Sequence, residues 1–418
     1  MKVFKFGGAS VKDAASVRNV ASILQRFPND KLVVVISAMG KVTNALEELH
    51  RARYHGGDTA EIIQRLTDYH RSIAEELFGN DIENCMATFD VYMNELLEKI
   101  GLPKSTNEDL EYDKIVCYGE LFSTSIVFEY LKKSGFNTAF TDARLTIKTD
   151  DRHRDARVDW NKSALAVQNI AHQLEHHDVV IIQGFIGSDS HGNTTTLGRE
   201  GSDFTAAIMA YLLDATDVTI WKDVPGMLNA DPKVFENTTK LDKISFREAI
   251  ELAYYGASVI HPKTVKPLQN KNIPLYIKSF IDPEAAGSAI QENQEQDSLI
   301  PCFISKKNQV LISITPRDFS FVVEDNLKEI FELLSTIGVR IHLMENSALS
   351  FSICVDKDEY KQEALFRALK EKYTIRYNEG LTLLTARHYN DENIKMLTAN
   401  REILLEQRNR QTIRFVAR

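Results

Sequence analysis

The chain has 418 residues, with 50 Lys and Arg against 59 Asp and Glu, a formal charge of −9. That length exceeds one ordinary core and implies two or three domains, while the acidic balance argues against a general nucleic-acid binder. No run approaches the roughly 18 apolar residues of a membrane span, and the N-terminus enters a strand directly, without a secretory leader.

Met1-Lys-Val-Phe-Lys-Phe-Gly-Gly-Ala-Ser10 places Lys5 at the end of an apolar run, just before Gly7 and Gly8. A lysine on a buried strand followed by two glycines is a compact phosphate grip: the strand steadies the ammonium and the glycines let backbone N–H groups approach an anion. The plain alternative is an ordinary strand–turn–helix start. Ser10 reads as the N-cap of a helix over 11–26. Lys31–Ile36 reads as a second buried strand, ending at Ser37-Ala-Met-Gly40 before a helix near Thr43. Residues 59–100 read as a helical insertion without chemistry. Tyr118–Thr124 opens a further helix, Asp178–Ile182 is another buried strand, and Val218–Trp221 and Pro274–Lys278 complete the set. Strands alternating with helices imply an α/β fold with a mainly parallel sheet covered on both faces, where ligands bind beyond the strand ends.

The alternation stops near residue 285, and 286–300 has linker composition. Beyond it, strands at 309–314, 339–343 and 348–355 and helices at 325–337 and 358–371 make a ferredoxin-like unit. A second, partial copy follows over 377–418, with a strand at 381–386, a helix at 391–396 and strands near 401–406 and 411–416. It has no room for its last helix and strand.

Cys85, Cys117, Cys302 and Cys354 lie far apart, which suits reduced core thiols in a cytosol. His172, His176 and His177 read as a solvated helix end, so no metal site is expected. The densest anion-handling stretch is Thr194-Thr-Thr-Leu-Gly-Arg-Glu-Gly-Ser-Asp203, ahead of an apolar helix at 204–213. Arg199 offers a bidentate fork for a carboxylate or phosphate, Gly201 and Ser202 shape a loop at a helix start, and Asp203 can cap that helix or orient a cation. A capped loop without a ligand is the alternative. Trp221–Lys233 is a turn-rich loop able to hold a nucleotide, with Lys222 and Lys233 toward phosphate. The Gly-x-x-x-x-Gly-Lys-Ser/Thr and Gly-x-Gly-x-x-Gly fingerprints are absent.

Eight motifs then occur in order: Lys5–Ser10, Ser37–Thr43, Gly119–Thr124, Gln183–Gly187, Thr194–Asp203, Asp223-Val-Pro-Gly226, Ala230-Asp-Pro232 and Gly256-Ala-Ser-Val-Ile-His-Pro262. Together they resemble the aspartokinases of the amino-acid kinase family, in the monofunctional form with C-terminal ACT domains. The resemblance implies an amino-acid kinase catalytic domain over 1–285, a linker over 286–300 and an ACT regulatory region over 301–418. The complete ACT copy would span about 309–376 and the partial one 301–306 with 377–418. It implies transfer of the ATP γ-phosphoryl group to the side-chain carboxylate of L-aspartate, the entry step to lysine, threonine and methionine, with Mg²⁺ on the ATP. Carried over residue by residue, Lys5 and Asp203 are catalytic. Ser37, Thr43, Glu120, Phe185, Arg199 and Ser202 are on the substrate side; Gly7, Gly8, Lys222, Asp223 and Lys233 are on the nucleotide side, with Lys5. A cytoplasmic homodimer joined through the ACT region is implied, with an amino-acid effector.

The chain departs from the family pattern at several positions. Ala9 stands where Thr is common, Glu200 where Gly is, and Lys233 where Arg is. Glu200 is expected to point away from the anion clamp. Ser258 stands where a nucleotide-contacting Lys is frequent, and Lys222, where Thr is common, is the candidate replacement. In lysine-sensitive relatives a Gly-Phe pair and an Asp stand where Asp325-Asn326 and His342 align here. Effector contacts are therefore expected at Met344, Glu345, Asn346 and Ser347, and lysine inhibition is expected to be weak.

Overall fold

The computed structural model describes residues 1–257, 260–318 and 320–418; Ser258 therefore lies outside the described residues. The chain divides into two compact units. The first comprises Met1–Met227, Lys240–Ile250 and Ser258–Gln294, and the second Leu228–Thr239, Glu251–Ala257 and Glu295–Arg418.

In the first unit an eight-stranded sheet runs in the order Lys243–Ser245, Ser288–Gln291, Leu275–Ser279, Val218–Lys222, Lys2–Phe6, Leu32–Ile36, Val179–Gln183, Thr138–Thr141. Six of its seven pairings are parallel. The exception is Leu275–Ser279 against Ser288–Gln291. All five residues of Leu32–Ile36 and of Val179–Gln183 are buried. Because successive side chains point to opposite faces, such strands require cover on both sides.

Several local readings change. Ser10 sits in a short 3₁₀ turn and gives its hydroxyl hydrogen to the Trp221 carbonyl at 3.3 Å. Its capping role passes to Asp13, which accepts from the Ser16 N–H at 2.7 Å and opens the helix Ala14–Leu24. Within the stretch read as linker, Ser288–Gln291 is a strand whose apolar signal is hidden: only alternate residues are buried. The insertion forms the helices Ala60–Phe78 and Ile82–Gly101. His70 is wholly buried there between the Phe89 and Phe122 rings, and burial lowers its pKa to about 4.

The second unit carries a six-stranded antiparallel sheet in the order Ile341–Asn346, Phe351–Asp356, Cys302–Pro316, Tyr373–Arg387, Thr412–Ala417, Ile403–Arg408. The two central strands are each 15 residues long and serve both ferredoxin-like copies. The helices Glu324–Ile337 and Glu359–Leu369 complete the first copy, and Asp391–Thr398 belongs to the second. The segment 302–306, within the 301–306 assigned to the second copy, pairs with 383–387 and gives that copy a further strand. Its last helix is absent among the described residues. A register shift between Lys306 and Gln309, with Asn308 at φ 58°, separates the halves of the first long strand.

Candidate active site

The strands Lys2–Phe6, Leu32–Ile36, Val179–Gln183 and Val218–Lys222 all present their C-terminal ends to one cavity of about 530 Å³. Its wall includes Lys5, Gly8, Ser37, Thr43, Glu120, Phe185, Arg199, Ser202, Asp203 and Lys222.

Asp203, in the first turn of the helix Gly201–Leu212, is buried and bridges two lysines. Lys5 Nζ lies 2.5 Å from Oδ1 and Lys222 Nζ 3.1 Å from Oδ2. Burial pushes the Asp203 pKa up, but the two ammonium groups outweigh it and hold it below the ordinary carboxylate value. One fixed carboxylate thus sets two cations side by side on the cavity wall. A Cβ at Gly8 would come within 2.8 Å of the Ala38 carbonyl oxygen, so only glycine allows this approach of backbone to the cavity. At Gly184 a Cβ would sit 2.4 Å from Ser202 Cβ, so glycine also lets the strand end pack on the helix start.

Glu120 lies in the helix Tyr118–Lys133 and is 3% exposed. Its Oε1 accepts the Ala38 N–H at 3.3 Å, while Oε2 has no hydrogen-bond partner among the described residues. Burial raises its pKa to about 8, against the pull of the Ala38 N–H, its own N–H and Lys5. Arg199 is exposed on the wall. Two non-glycine residues on the rim have left-handed backbones, Phe185 at φ 69° and Glu200 at φ 54°; such strain persists only where the surroundings hold it.

Glu200 departs from the sequence reading, and three nucleotide-side candidates stand off the lining of this cavity. Glu200 lines the cavity rather than pointing away. Burial raises its pKa, while Lys222 draws it down and Asp203 pushes it up again; its Oε2 is buried without a hydrogen-bond partner among the described residues. Asp223 is exposed and off the cavity lining, because the extended chain that turns Lys222 inward turns its neighbour outward. Gly7 is likewise off the lining, although a Cβ there would lie 3.2 Å from Lys5 Nζ. Lys233 is exposed in Leu228–Thr239, a stretch of the second unit.

Glu47, Tyr112 and Arg154 also line the cavity, unforeseen from the sequence. The Tyr112 hydroxyl donates to Glu47 Oε1 at 2.8 Å. The Arg154 guanidinium lies over the Tyr112 ring at 4.3 Å and pairs with Asp109 at 2.7 Å. Behind them, buried Asp113 accepts from the Thr196 hydroxyl at 2.6 Å, the Thr196 N–H at 3.0 Å and the Arg154 N–H at 3.2 Å, and bonds His153 Nδ1 at 2.9 Å. This explains part of the threonine run.

In the second unit His342 is buried, with Nε2 2.8 Å from Asp356 Oδ2 and Nδ1 3.3 Å from Lys306 Nζ. A lysine ammonium can only donate, so Nδ1 accepts and Nε2 carries the hydrogen. Burial lowers the His342 pKa, opposed by Asp356 and assisted by Lys306. Met344, Glu345, Asn346 and Ser347 are exposed at the end of the strand Ile341–Asn346 and in the turn after it.

A mainly parallel sheet whose strand ends surround paired lysines, with two carboxylate oxygens that have no hydrogen-bond partner among the described residues, fits a phosphotransferase of the amino-acid kinase fold. The model of the amino acid kinase family matches residues 1–279, and the chain belongs to that family. Lysine-sensitive aspartokinase 3 of Escherichia coli (strain K12) is 32% identical over 395 residues, covering 91% of this chain and 86% of the relative. The crystal structure of E. coli aspartokinase III in complex with aspartate and ADP (R-state) superposes with a TM-score of 0.83 at 27% identity, covering 100% of this chain and 96% of that one. Its complex with lysine and aspartate (T-state) gives 0.82 at 28%, covering 100% and 95%. Within the amino acid kinases the chain is an ATP-dependent kinase of the aspartokinase group.

Proposed function

We propose that this protein transfers the γ-phosphoryl group of ATP to the side-chain carboxylate of L-aspartate, giving 4-phospho-L-aspartate on the route to lysine, threonine and methionine. The observation that carries the reading is the arrangement within one cavity: Lys5 and Lys222 on Asp203, the open Glu120 Oε2, and Arg199 on the wall. A carboxylate acceptor with a pKa of about 4 is already ionised at neutral pH, so no general base is needed. The protein's work is alignment and charge neutralisation. Lys5 faces the transferring phosphoryl group beside the Gly7–Gly8 backbone, and Asp203 positions it. Glu120 takes the substrate ammonium and Arg199 a substrate carboxylate, with Ser37, Thr43, Phe185 and Ser202 around them. Lys222 and Asp223 serve the nucleotide side.

Magnesium bound to ATP supplies neutralisation of the phosphate oxygens. Glu200 Oε2, a buried oxygen without a hydrogen-bond partner among the described residues, fits a hard cation held mainly by phosphate and water. The four cysteines are unpaired and buried, which supports a cytoplasmic setting. No helix among the described residues is long and apolar enough to cross a membrane.

The same proposal makes the protein a homodimer through its ACT region. The strand Ile341–Asn346 ends the sheet order with one unpaired edge, and Phe321, Val323, Phe331, Met344 and Leu349 are exposed on nearby segments of that copy. A second subunit would cover both. A coupled assay of ADP release tests the activity: turnover with L-aspartate, ATP and Mg²⁺ is expected. Turnover at background with aspartate, or preference for glutamate, acetylglutamate or UMP, would sink the reading.

A further inference from the structure

The end of the helix Gln168–His176 carries chemistry that the catalytic site does not use. His172 and His176 stand one turn apart on one face, with Glu175 beside them. The ligand atoms of all three lie within 4.8 Å of one another, and all three side chains are exposed. The two imidazole rings meet edge to face with centroids 5.3 Å apart. Neither imidazole nor the Glu175 carboxylate is engaged in a hydrogen bond or ion pair with another described residue. The sequence run is His-Gln-Leu-Glu-His, in which two histidines spaced i and i+4 can close on one ion. From sequence these histidines read as a solvated helix end; the geometry adds Glu175 to His172 and His176.

The backbone under this triplet is braced. Ile170 and Leu174 are buried and fix the opposite face of the helix. Asn137 Nδ2 donates to the His176 carbonyl at 3.0 Å, and Lys31 Nζ donates to the His177 carbonyl at 3.0 Å. The Lys31 charge is also paired with Asp178 at 3.0 Å, so it is balanced close to the triplet. The negative end of the helix dipole lies in this last turn and favours a cation. Together these features hold two chelating side chains on a rigid mount.

We propose that His172, Glu175 and His176 form a surface site for one borderline-soft divalent transition ion, zinc being the type case. Two neutral imidazoles and a carboxylate suit zinc, nickel or copper(II), and water completes the coordination shell. Magnesium and calcium, which demand six or more oxygen ligands, are disfavoured. The triplet precedes the N-terminal end of the strand Val179–Gln183, whereas the catalytic cavity lies beyond its C-terminal end. The site is therefore separate from the proposed phosphoryl transfer and stands independently of it.

The test is isothermal titration of the chelator-treated full chain with zinc chloride in excess magnesium. One saturable zinc per chain is expected, with a rise in melting temperature because the ion binds the folded form. His172→Ala and His176→Ala should each weaken binding by more than the roughly tenfold that loss of an indirect supporting partner costs at a metal site. Glu175→Gln should weaken it less, and His191→Ala, at an exposed histidine elsewhere, should leave it unchanged. All four variants should keep the wild-type rate of ADP release, which confirms that they fold. No saturable zinc, or equal affinity in His176→Ala and wild type, would overturn the proposal.

Discussion

In the first unit Glu120 keeps a buried oxygen without a hydrogen-bond partner among the described residues, and Asp203 holds two ammonium groups against an open cavity. In the second unit the polar atoms of a buried ring are filled internally: His342 sits between Lys306 and the exposed Asp356, and Asp356 Oδ1 takes the Gln309 side-chain N–H at 2.8 Å. Burying a polar group without a partner costs about 1–3 kcal/mol. A fold tolerates that cost where a ligand will supply the partner. At Glu120 the open capacity faces the cavity, whereas at His342 it is filled by neighbouring side chains.

The sharpest way to break this contrast is to remove charge from the open site. Lys5→Ala should lower kcat by about a hundredfold or more, since a preorganised charge at the transferring group is lost. The ADP-release assay at saturating substrates reads this directly, and an effect confined to KM would contradict the role given to Lys5. Asp203→Asn keeps the shape but strips the counter-charge from two lysines. It should abolish most activity and also cost about 3 kcal/mol of stability, the lower end for leaving a buried charge unpaired. Urea denaturation measures the second effect. An unchanged midpoint would mean that solvent already compensates Lys5 and Lys222.

The parts that were legible from sequence are those where local pattern decides. The β-branched runs 32–36 and 179–182 could only be buried strands, and the glycine-bracketed strand ends marked Lys5, Gly8 and Arg199. Other features depend on distant partners. Glu47, Tyr112 and Arg154 come from two helices and a loop, and reach the cavity only through tertiary packing. Glu200 turns inward because its backbone takes a left-handed value that the sequence does not announce. Ser288–Gln291 disappears in a polar stretch because half of its residues face away from the core. The pairing of 302–306 with 383–387 joins segments that lie on either side of the first copy, so its register depends on tertiary packing and not on local pattern.

Glu120 gives a prediction with a defined pH sense. Its pKa in the free protein is about 8, raised by burial, so at neutral pH the carboxyl is mostly protonated. The substrate ammonium is held by the ionised form, whose fraction grows as pH rises. The KM for aspartate should therefore fall between pH 6 and about 8 and level off above it, with kcat much less affected. Glu120→Gln should raise that KM by about tenfold to a hundredfold, the weight of a charged hydrogen bond, and flatten its pH profile. A profile that survives the substitution would assign the titration to another group.

The smallest effect is expected at the closed network. Both ring nitrogens of His342 are already engaged, one as donor to Asp356 and one as acceptor from Lys306. Its pKa is lowered by burial, so the ring is neutral at physiological pH and offers no negative charge to an incoming amine. Millimolar lysine should therefore inhibit aspartate phosphorylation only weakly. Titrating lysine, threonine and methionine against the full chain, with ADP release as the readout, separates the cases. Strong inhibition by lysine that disappears in a His342→Ala variant would show that the network opens to admit an effector. An effector that acts with His342 changed or intact places its contacts elsewhere, and Met344, Glu345, Asn346 and Ser347 on the exposed strand end are then the residues to substitute. Coupling to the catalytic site follows only if the bound effector changes the affinity for aspartate or ATP, and by the same factor in both directions.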